Sequence, residues 1–356
     1  MIIRDPSGRE VTDYFTGLAV QEGEVTIEPA QITVTTGSAE KEYDGTPLTC
    51  AEAVLTGLVN GETADAAATG SLTGVGTADN TFVISWGTAD PADYTVIENL
   101  GTLTVTANDT AIAVTAASAE KVYDGTALTA DGFTVENLPA GFTLTATVSG
   151  SRTDAGTGEN TVTDYTILDA ENNDVTVSFT GVTTVKGDLK VTPADLTVKT
   201  DPATKTYDGT ALTCGTYTVE GLAADETVNV VCTGTLTDVG TADNTCTVTF
   251  VTAKEGNYTL NIVPGTLKVT ANEEAVVITA ASAEKVYDGT ALTADGFTVE
   301  NLPAGFTLTA AVSGSQTDAG TGENTVTGYT ILDAENNDVT ASFTGVTTVK
   351  IGRAHV

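Results

Sequence analysis

At 356 residues the chain is too long for one small domain and suits several units of ordinary size. Acidic residues outnumber basic ones 48 to 14, a formal net charge of -34, which argues against nucleic acid and anionic membrane surfaces as partners. A hydrophobic share of 40% permits packed cores, no apolar run approaches a membrane span, and abundant Thr, Val and Gly favour strands and tight turns over helices.

One hexamer, Lys-x-Tyr-Asp-Gly-Thr, occurs four times and sets the frame for the rest. Its copies carry Lys41, Tyr43, Asp44 and Gly45; Lys121, Tyr123, Asp124 and Gly125; Lys205, Tyr207, Asp208 and Gly209; and Lys285, Tyr287, Asp288 and Gly289. The tyrosines are 80, 84 and 80 residues apart, an interval of domain size, so the chain reads as a tandem array. Shifted by 164 residues, the sequence matches itself without a gap: Tyr43 falls on Tyr207, Gly76 on Gly240 and Tyr94 on Tyr258. The true period is therefore a pair of repeats, type A followed by type B. Residues 115–186 and 279–350 differ only at Thr147/Ala311, Arg152/Gln316, Asp164/Gly328 and Val177/Ala341, as expected of a recent duplication.

In chain order, residues 1–30 read as the C-terminal remnant of a truncated type B repeat, since Ile3-Arg4-Asp5 falls on Ile167-Leu168-Asp169. They lack the basic-then-apolar pattern of a signal peptide, which fits a truncated start. Residues 31–110 form a type A repeat, 111–194 type B, 195–274 type A and 275–350 an incomplete type B. The stretch 351–356, Ile-Gly-Arg-Ala-His-Val, resembles nothing in the repeat. It stands where the earlier type B repeat has Gly187 to Thr192, a closing strand, and reads as the translation of a sequencing-library adapter. The junctions 107–110 and 271–274 are short and polar, which leaves neighbouring repeats little freedom.

Within each repeat the apolar residues alternate, as in Phe82, Ile84, Trp86 and Cys246, Val248, Phe250, and helical periodicity is absent. The expected fold is all-β: tandem immunoglobulin-like β-sandwich repeats in a rod, each repeat with its own core. A β-grasp-like repeat is the alternative, because Asn60–Ala68 has room for a short helix. Lys and Tyr of the hexamer stand two apart on one strand face, with Tyr as the buried anchor. Asp-Gly then turns the chain as a hairpin, and Leu48, Leu128, Leu212 and Leu292 face inward on the strand that follows.

The sequence holds no catalytic constellation, and we expect no enzyme and no cofactor. The single histidine, His355, lies in the non-repeat tail, and no Cys-x-x-Cys or Cys/His zinc spacing occurs. Asp169 to Asp174 and its copy 333–338 look superficially like a calcium loop but lack the glycine and terminal glutamate of an EF-hand, so a plain turn is preferred. The four cysteines read as small core residues. Cys232 and Cys246 replace the Ala68 and Phe82 of the first type A repeat, a small-plus-large pair exchanged for two medium residues. That exchange places the two side chains together, as a candidate disulfide. Cys50 and Cys214 occupy one site in different repeats and should stay unpaired.

Three elements carry a family resemblance: Lys205 to Thr210 opening a repeat, Asp238 to Asn244 at its middle and Asn257 to Leu260 near its end. They resemble the YDG/MBG-type repeats of bacterial cell-surface adhesins, over nearly the whole chain. Departures are Asp93-Tyr94, Asp164-Tyr165 and Gly328-Tyr329 in place of Asn-Tyr, and Gly74 in place of Asp238. The resemblance implies an extracellular protein, on the bacterial surface or secreted, whose repeats form a stalk or spacer that projects a distal functional domain. Partners would be the neighbouring repeats, with no nucleic acid and no membrane insertion. The alternative is an adhesion module that binds glycans or mucin through its loops. An asparagine also lies 39 residues after each hexamer lysine, at Asn80, Asn160, Asn244 and Asn324, each next to an acid. These are the parts of the spontaneous isopeptide bond found in some surface-protein stalks. The plainer reading is a lysine lying over the core edge and a turn asparagine.

Overall fold

A computed structural model describes residues 1–350, so the non-repeat tail 351–356 lies outside the described residues. Among these, the only helical pieces are 3-10 turns such as Pro91–Asp93, and the fold is all-β, as the alternation indicated. The Asn60–Ala68 stretch, with room for a helix in the β-grasp alternative, is a tight turn through Asn60 at φ 57° followed by the strand Ala64–Ala68. The chain divides into two compact units. One comprises residues 1–115, 133–147 and 162–185; the other comprises 116–132, 148–161 and the chain from Lys186 onward.

In the first unit, the type A repeat builds three small sheets. Ala30–Thr36 lies between antiparallel Ala53–Thr56 and parallel Tyr94–Asn99. Thr102–Thr106 lies between parallel Ala39–Glu42 and antiparallel Gly76–Asp79. Ala64–Ala68 pairs with Phe82–Trp86. In the second unit, the type A repeat repeats this plan, with Ala194–Thr200 and Gly265–Thr270 as the two central strands and Val228–Cys232 paired to Cys246–Phe250. The inward residues of the central strands are Ile32, Val34, Leu103 and Val105 in one repeat and Leu196, Val198, Leu267 and Val269 in the other, all fully buried. Two-residue periodicity puts them on one face, where β-branched and Leu side chains pack against the opposing layer.

The hexamer differs from the expected hairpin. Ala39–Glu42 pairs in parallel with the closing strand Thr102–Thr106, not with the segment after Asp-Gly. Leu48 is buried as expected, but it meets Leu72 in an isolated bridge, and Leu212 meets Leu236 in the same way. The turn is held by its own side chains, which frees the following segment to cross to a distant partner.

The cores also depart from expectation, since they do not follow the repeat boundaries. In the first unit, Tyr43, Leu48, Leu103 and Val105 of the type A repeat share one cluster with Ile112, Val114, Ile167 and Phe179 of the type B repeat. In the second unit, Tyr123, Leu128, Leu189 and Val191 of the type B repeat cluster with Leu196, Ala253 and Tyr258 of the next type A repeat. A third cluster joins Tyr207, Leu212, Leu267 and Val269 to Ile331 and Phe343. Each of these three cores combines the back half of one repeat with the front half of the next, while a fourth, around Ile32, Ala89 and Tyr94, lies within the front half of the first type A repeat. The physical reason is that one small sheet buries only one face, and the neighbour's sheet supplies the second layer.

Tyr287 is the exception to the expected burial. Tyr43, Tyr123 and Tyr207 are 4%, 6% and 2% exposed, whereas Tyr287 is 64% exposed. The front half of its repeat is built normally, with Val277–Ala280 between Phe297–Glu300 and Thr347–Val349. Residues 281–288 form no strand, although the matching residues Ala119–Val122 do. In the other three repeats the tyrosine is covered by aromatic rings of the repeat that follows; among the described residues no such ring reaches Tyr287.

Candidate functional site

The hexamer is a self-contained turn. Lys41 Nζ donates to Asp44 Oδ1 at 2.6 Å and to the Thr46 carbonyl at 2.6 Å, while Asp44 Oδ1 also accepts from Thr46 N at 2.8 Å. The same Lys-to-Asp contact holds at Lys121, Lys205 and Lys285, at 2.6, 2.6 and 2.9 Å. Glycine follows in the left-handed region, at φ 78° for Gly45. The lysine hydrogen bond, followed by those from Thr46, holds the Asp44 carboxyl down to about 2. Lysine therefore has a structural partner in all four repeats.

Where type A meets type B, the joint is aromatic. The Tyr43 ring meets Phe142 at 5.9 Å and Phe179 edge-on at 5.8 Å, and those two phenylalanines stand edge-on at 5.0 Å. Tyr207, Phe306 and Phe343 reproduce the arrangement. The linker is part of it: Asn108 Nδ2 donates to the Tyr43 carbonyl at 2.9 Å, and Asn108 N donates to the Ser178 carbonyl at 2.9 Å. Asn272 makes the same bonds to Tyr207 and Ser342, at 3.1 and 2.8 Å. Burial pushes the Tyr43 hydroxyl up, with the Asp169 carboxylate adding to it.

Where type B meets type A, the joint is polar. Tyr123 and Tyr258 each donate their hydroxyl to Glu226, one to each carboxylate oxygen, both at 2.5 Å. Their rings meet edge-on at 5.4 Å, and Phe250 stacks on Tyr258 at 6.3 Å. Ala223 N donates to the Tyr258 hydroxyl at 2.9 Å. Burial, then the Glu226 hydrogen bond, pushes Tyr258 up to about 12. Beside this cluster Asp154 accepts from Lys254 at 2.6 Å and from Asn257 at 3.0 Å, and Ala155 N donates to Asn257 Oδ1 at 2.8 Å. Lys254 foremost holds the Asp154 carboxyl below its ordinary range.

The asparagines do not reach the lysines, so the isopeptide reading is corrected. Asn80 Nδ2 donates to the carbonyls of Gly37 and Cys50 at 3.0 and 2.9 Å, tying together two loops of the back half. Asn160, Asn244 and Asn324 do the same at their own sites. The amide oxygen faces a glycine instead: a Cβ on Gly70 would stand 2.5 Å from Asn80 Oδ1. These four oxygens are buried without a hydrogen-bond partner. The bracing glycines, Gly70, Gly150, Gly234 and Gly314, were not singled out by the sequence reading.

Cys232 and Cys246 stand directly opposite each other on paired strands, with both thiols free. Cys50 and Cys214 are also free. In the Asp169 to Asp174 turn, Asp169 Oδ1 accepts from the backbone N of Glu171 and Asn173 at 3.0 and 2.8 Å, and Asn172 takes a φ of 63°. The carboxylate is thus committed to its own turn.

Residues 196–268 match the profile of the MBG domain, YGX type. No curated protein matches the chain. Among solved structures, the chain is similar to SGBP-B of the Bacteroides ovatus mixed-linkage glucan utilization locus, solved with a mixed-linkage heptasaccharide. The identity is 13%, the alignment covers 89% of this chain and 91% of that one, and the TM-score is 0.13. The matched span runs from the front strand Ala194–Thr200 to the closing strand Gly265–Thr270 and contains the third hexamer. Residues 196–268 accordingly match an MBG domain, and this matched span carries the third of the four Lys-x-Tyr-Asp-Gly-Thr units.

Proposed function

We propose that the chain is a structural spacer in a bacterial cell-surface or secreted protein, without enzymatic activity, that holds a distal functional domain away from its anchor. The observation that carries this reading is the interlocking of consecutive repeats. Tyr43, Tyr123 and Tyr207 belong to one repeat and are buried by side chains of the next. A force applied along the chain then works against packed aromatic rings and charge-assisted hydrogen bonds at each joint, not against bare linkers. The MBG domain supports a surface-associated β-rich repeat protein, and among the described residues no helix is long and apolar enough to cross a membrane.

Single-molecule stretching of the chain between its ends tests the proposal. The expected record is a series of discrete unfolding steps, with the joint variants Tyr123→Phe and Tyr207→Ala lowering the force of particular steps. A record without force-bearing steps overturns the spacer. A glycan array read with the same protein should be blank; reproducible binding to one glycan class would favour the adhesion module instead.

A further inference from the structure

In the second type A repeat the strands Val228–Cys232 and Cys246–Phe250 pair only with each other, and their register sets Cys232 directly opposite Cys246. One step beyond that pair, Thr233 N donates to the Thr245 carbonyl at 2.7 Å. Ladder bonds alternate along antiparallel strands, so this bond makes Cys232 and Cys246 a non-hydrogen-bonded pair. Such pairs hold their Cα atoms about 4.5 Å apart, inside the span of about 4.4–6.8 Å that a disulfide bridges. The two side chains are half-buried, on the strand face that also carries Val230 and Val248.

A third thiol stands beside them. Cys214 Sγ and Thr216 Oγ1 lie 3.4 Å apart, and Cys232 Sγ donates to the Thr216 carbonyl at 3.9 Å. Burial, then the nearby Cys214, pushes the Cys232 thiol up, and burial, then Cys232, pushes the Cys246 thiol up. Cys214 has no strand partner; its loop is braced by Asn244, whose Nδ2 donates to the Cys214 carbonyl at 3.1 Å. The first type A repeat has Cys50 at the place of Cys214 but Ala68 and Phe82 at the places of the opposed pair, and the type B repeats hold no cysteine.

We propose that Cys232 and Cys246 are a covalent modification site, which an external low-molecular-weight disulfide converts into a cross-strand disulfide while Cys214 stays reduced beside it. The chemistry is thiol–disulfide exchange. One cysteine thiolate attacks a sulfur of the reagent, the reagent's S–S bond breaks, and one half leaves as a thiolate. The second cysteine thiolate attacks the protein sulfur of the mixed disulfide and expels the other half. Two protein thiols are thereby oxidised to one disulfide, one reagent disulfide is reduced to two thiols, and the two protein protons pass to the leaving thiolates. The thiolate is the attacking form, so raised thiols make closure slow at neutral pH and faster as pH rises. The bond closes a loop that contains the Asn244 brace and ties covalently a sheet that has only two strands. The site stands on strand register alone and does not depend on the spacer reading.

The test incubates the full chain with oxidised glutathione at alkaline pH, then counts thiols by alkylation, measures intact mass and maps the cross-linked peptides. The expected result is a fall from four free thiols to two, with Cys50 and Cys214 alkylated. The mass should fall by two hydrogen atoms with no glutathione retained, and the map should show one Cys232–Cys246 link. The closed protein should unfold roughly 5–10 °C above the same protein after reduction, the scale for a loop of this length. Cys214→Ser should keep both the link and the thermal shift, and Cys246→Ser should abolish the shift. Four thiols that persist, glutathione retained on the protein without closure, or a wild-type link through Cys214 each overturns the site.

Discussion

The hydroxyl of Tyr123 and the carboxylate of Glu226 meet at 2.5 Å although 103 residues separate them in the chain. Glu226 spends its second oxygen on Tyr258, so one carboxylate ties the back half of a type B repeat to the front half of a type A repeat. Glu62, its counterpart in the first type A repeat, accepts from Tyr94 at 2.6 Å in the same manner.

Removing either hydroxyl should therefore cost stability without changing the fold. Tyr123→Phe or Tyr258→Phe is expected to destabilise the second unit by about 1.5–3 kcal/mol, the range for a hydrogen bond to a charged group. The two tyrosines share one acceptor, so their effects should not add. A double-mutant cycle measured by denaturant unfolding should give a coupling of about 0.5–3 kcal/mol. Strict additivity would show that the two hydroxyls hold the carboxylate independently of each other.

Alkaline pH should loosen the same joint. Tyr258 is raised from the ordinary tyrosine value of 10.0 to about 12. The neutral hydroxyl is the form the folded state favours, so its contribution is complete below pH 10 and is lost as pH rises towards 12. Ultraviolet titration should show Tyr258 ionising last or only on unfolding, and Glu226→Gln should bring its midpoint down. A midpoint near 10 in the native protein would contradict the hydrogen-bonded geometry.

At the other end of the scale, the hexamer turns should survive mild acid. Asp44 and Asp208 are each lowered to about 2, chiefly by their lysines. A depressed carboxyl stabilises the fold above its ordinary value of 3.8, and that share disappears as pH falls towards 2. The Thr46 and Thr210 N–H groups donate to these carboxylates, and their protection relative to intrinsic exchange should hold down to about pH 4 and fall below it. Asp44→Asn should remove the pH dependence at Thr46 alone.

The asparagine braces predict a larger loss. Asn160→Ala would leave the Ala117 and Ala130 carbonyls without their donor, at about 1–3 kcal/mol for each buried group left unpaired. Gly150→Ala should be comparably harmful, because its Cβ would stand 2.6 Å from the Glu159 carbonyl oxygen. Thermal unfolding of both variants checks this. Wild-type stability for Gly150→Ala would mean that the brace tolerates displacement.

Much of this was legible beforehand because it is local. Two-residue alternation placed strands such as Phe82–Trp86, the Asp-Gly pairs marked real turns, and the exchange of Ala68 and Phe82 for two cysteines correctly predicted that the sites face each other. What stayed hidden is non-local. Parallel pairing of Ala39–Glu42 with Thr102–Thr106 has no adjacent sequence signal, because a long crossover separates the two strands. Glu226 is one acid among many in a chain of net charge -34, and only the fold shows that two tyrosines converge on it. Asn108 and Asn272 read as polar linker residues, yet each is buried and anchored to a hexamer tyrosine. The burial assigned to Tyr287 failed for a related reason: the motif determines where the ring points, while a neighbouring repeat determines whether it is covered.

Cores that straddle the repeat boundaries also constrain how such an array changes length over evolution. A type A back half presents Tyr43 to two phenylalanines, and a type B back half presents Tyr123 to a glutamate and a tyrosine. Unequal crossing-over that inserts or deletes a whole A–B pair rejoins matching surfaces wherever the breakpoints fall. Loss of a type A repeat would instead seat Tyr123 against two phenylalanines and leave its hydroxyl without the carboxylate that accepts it. The smallest heritable step in length is then two repeats, which accords with copies 115–186 and 279–350 that differ at four positions and lie one full pair apart.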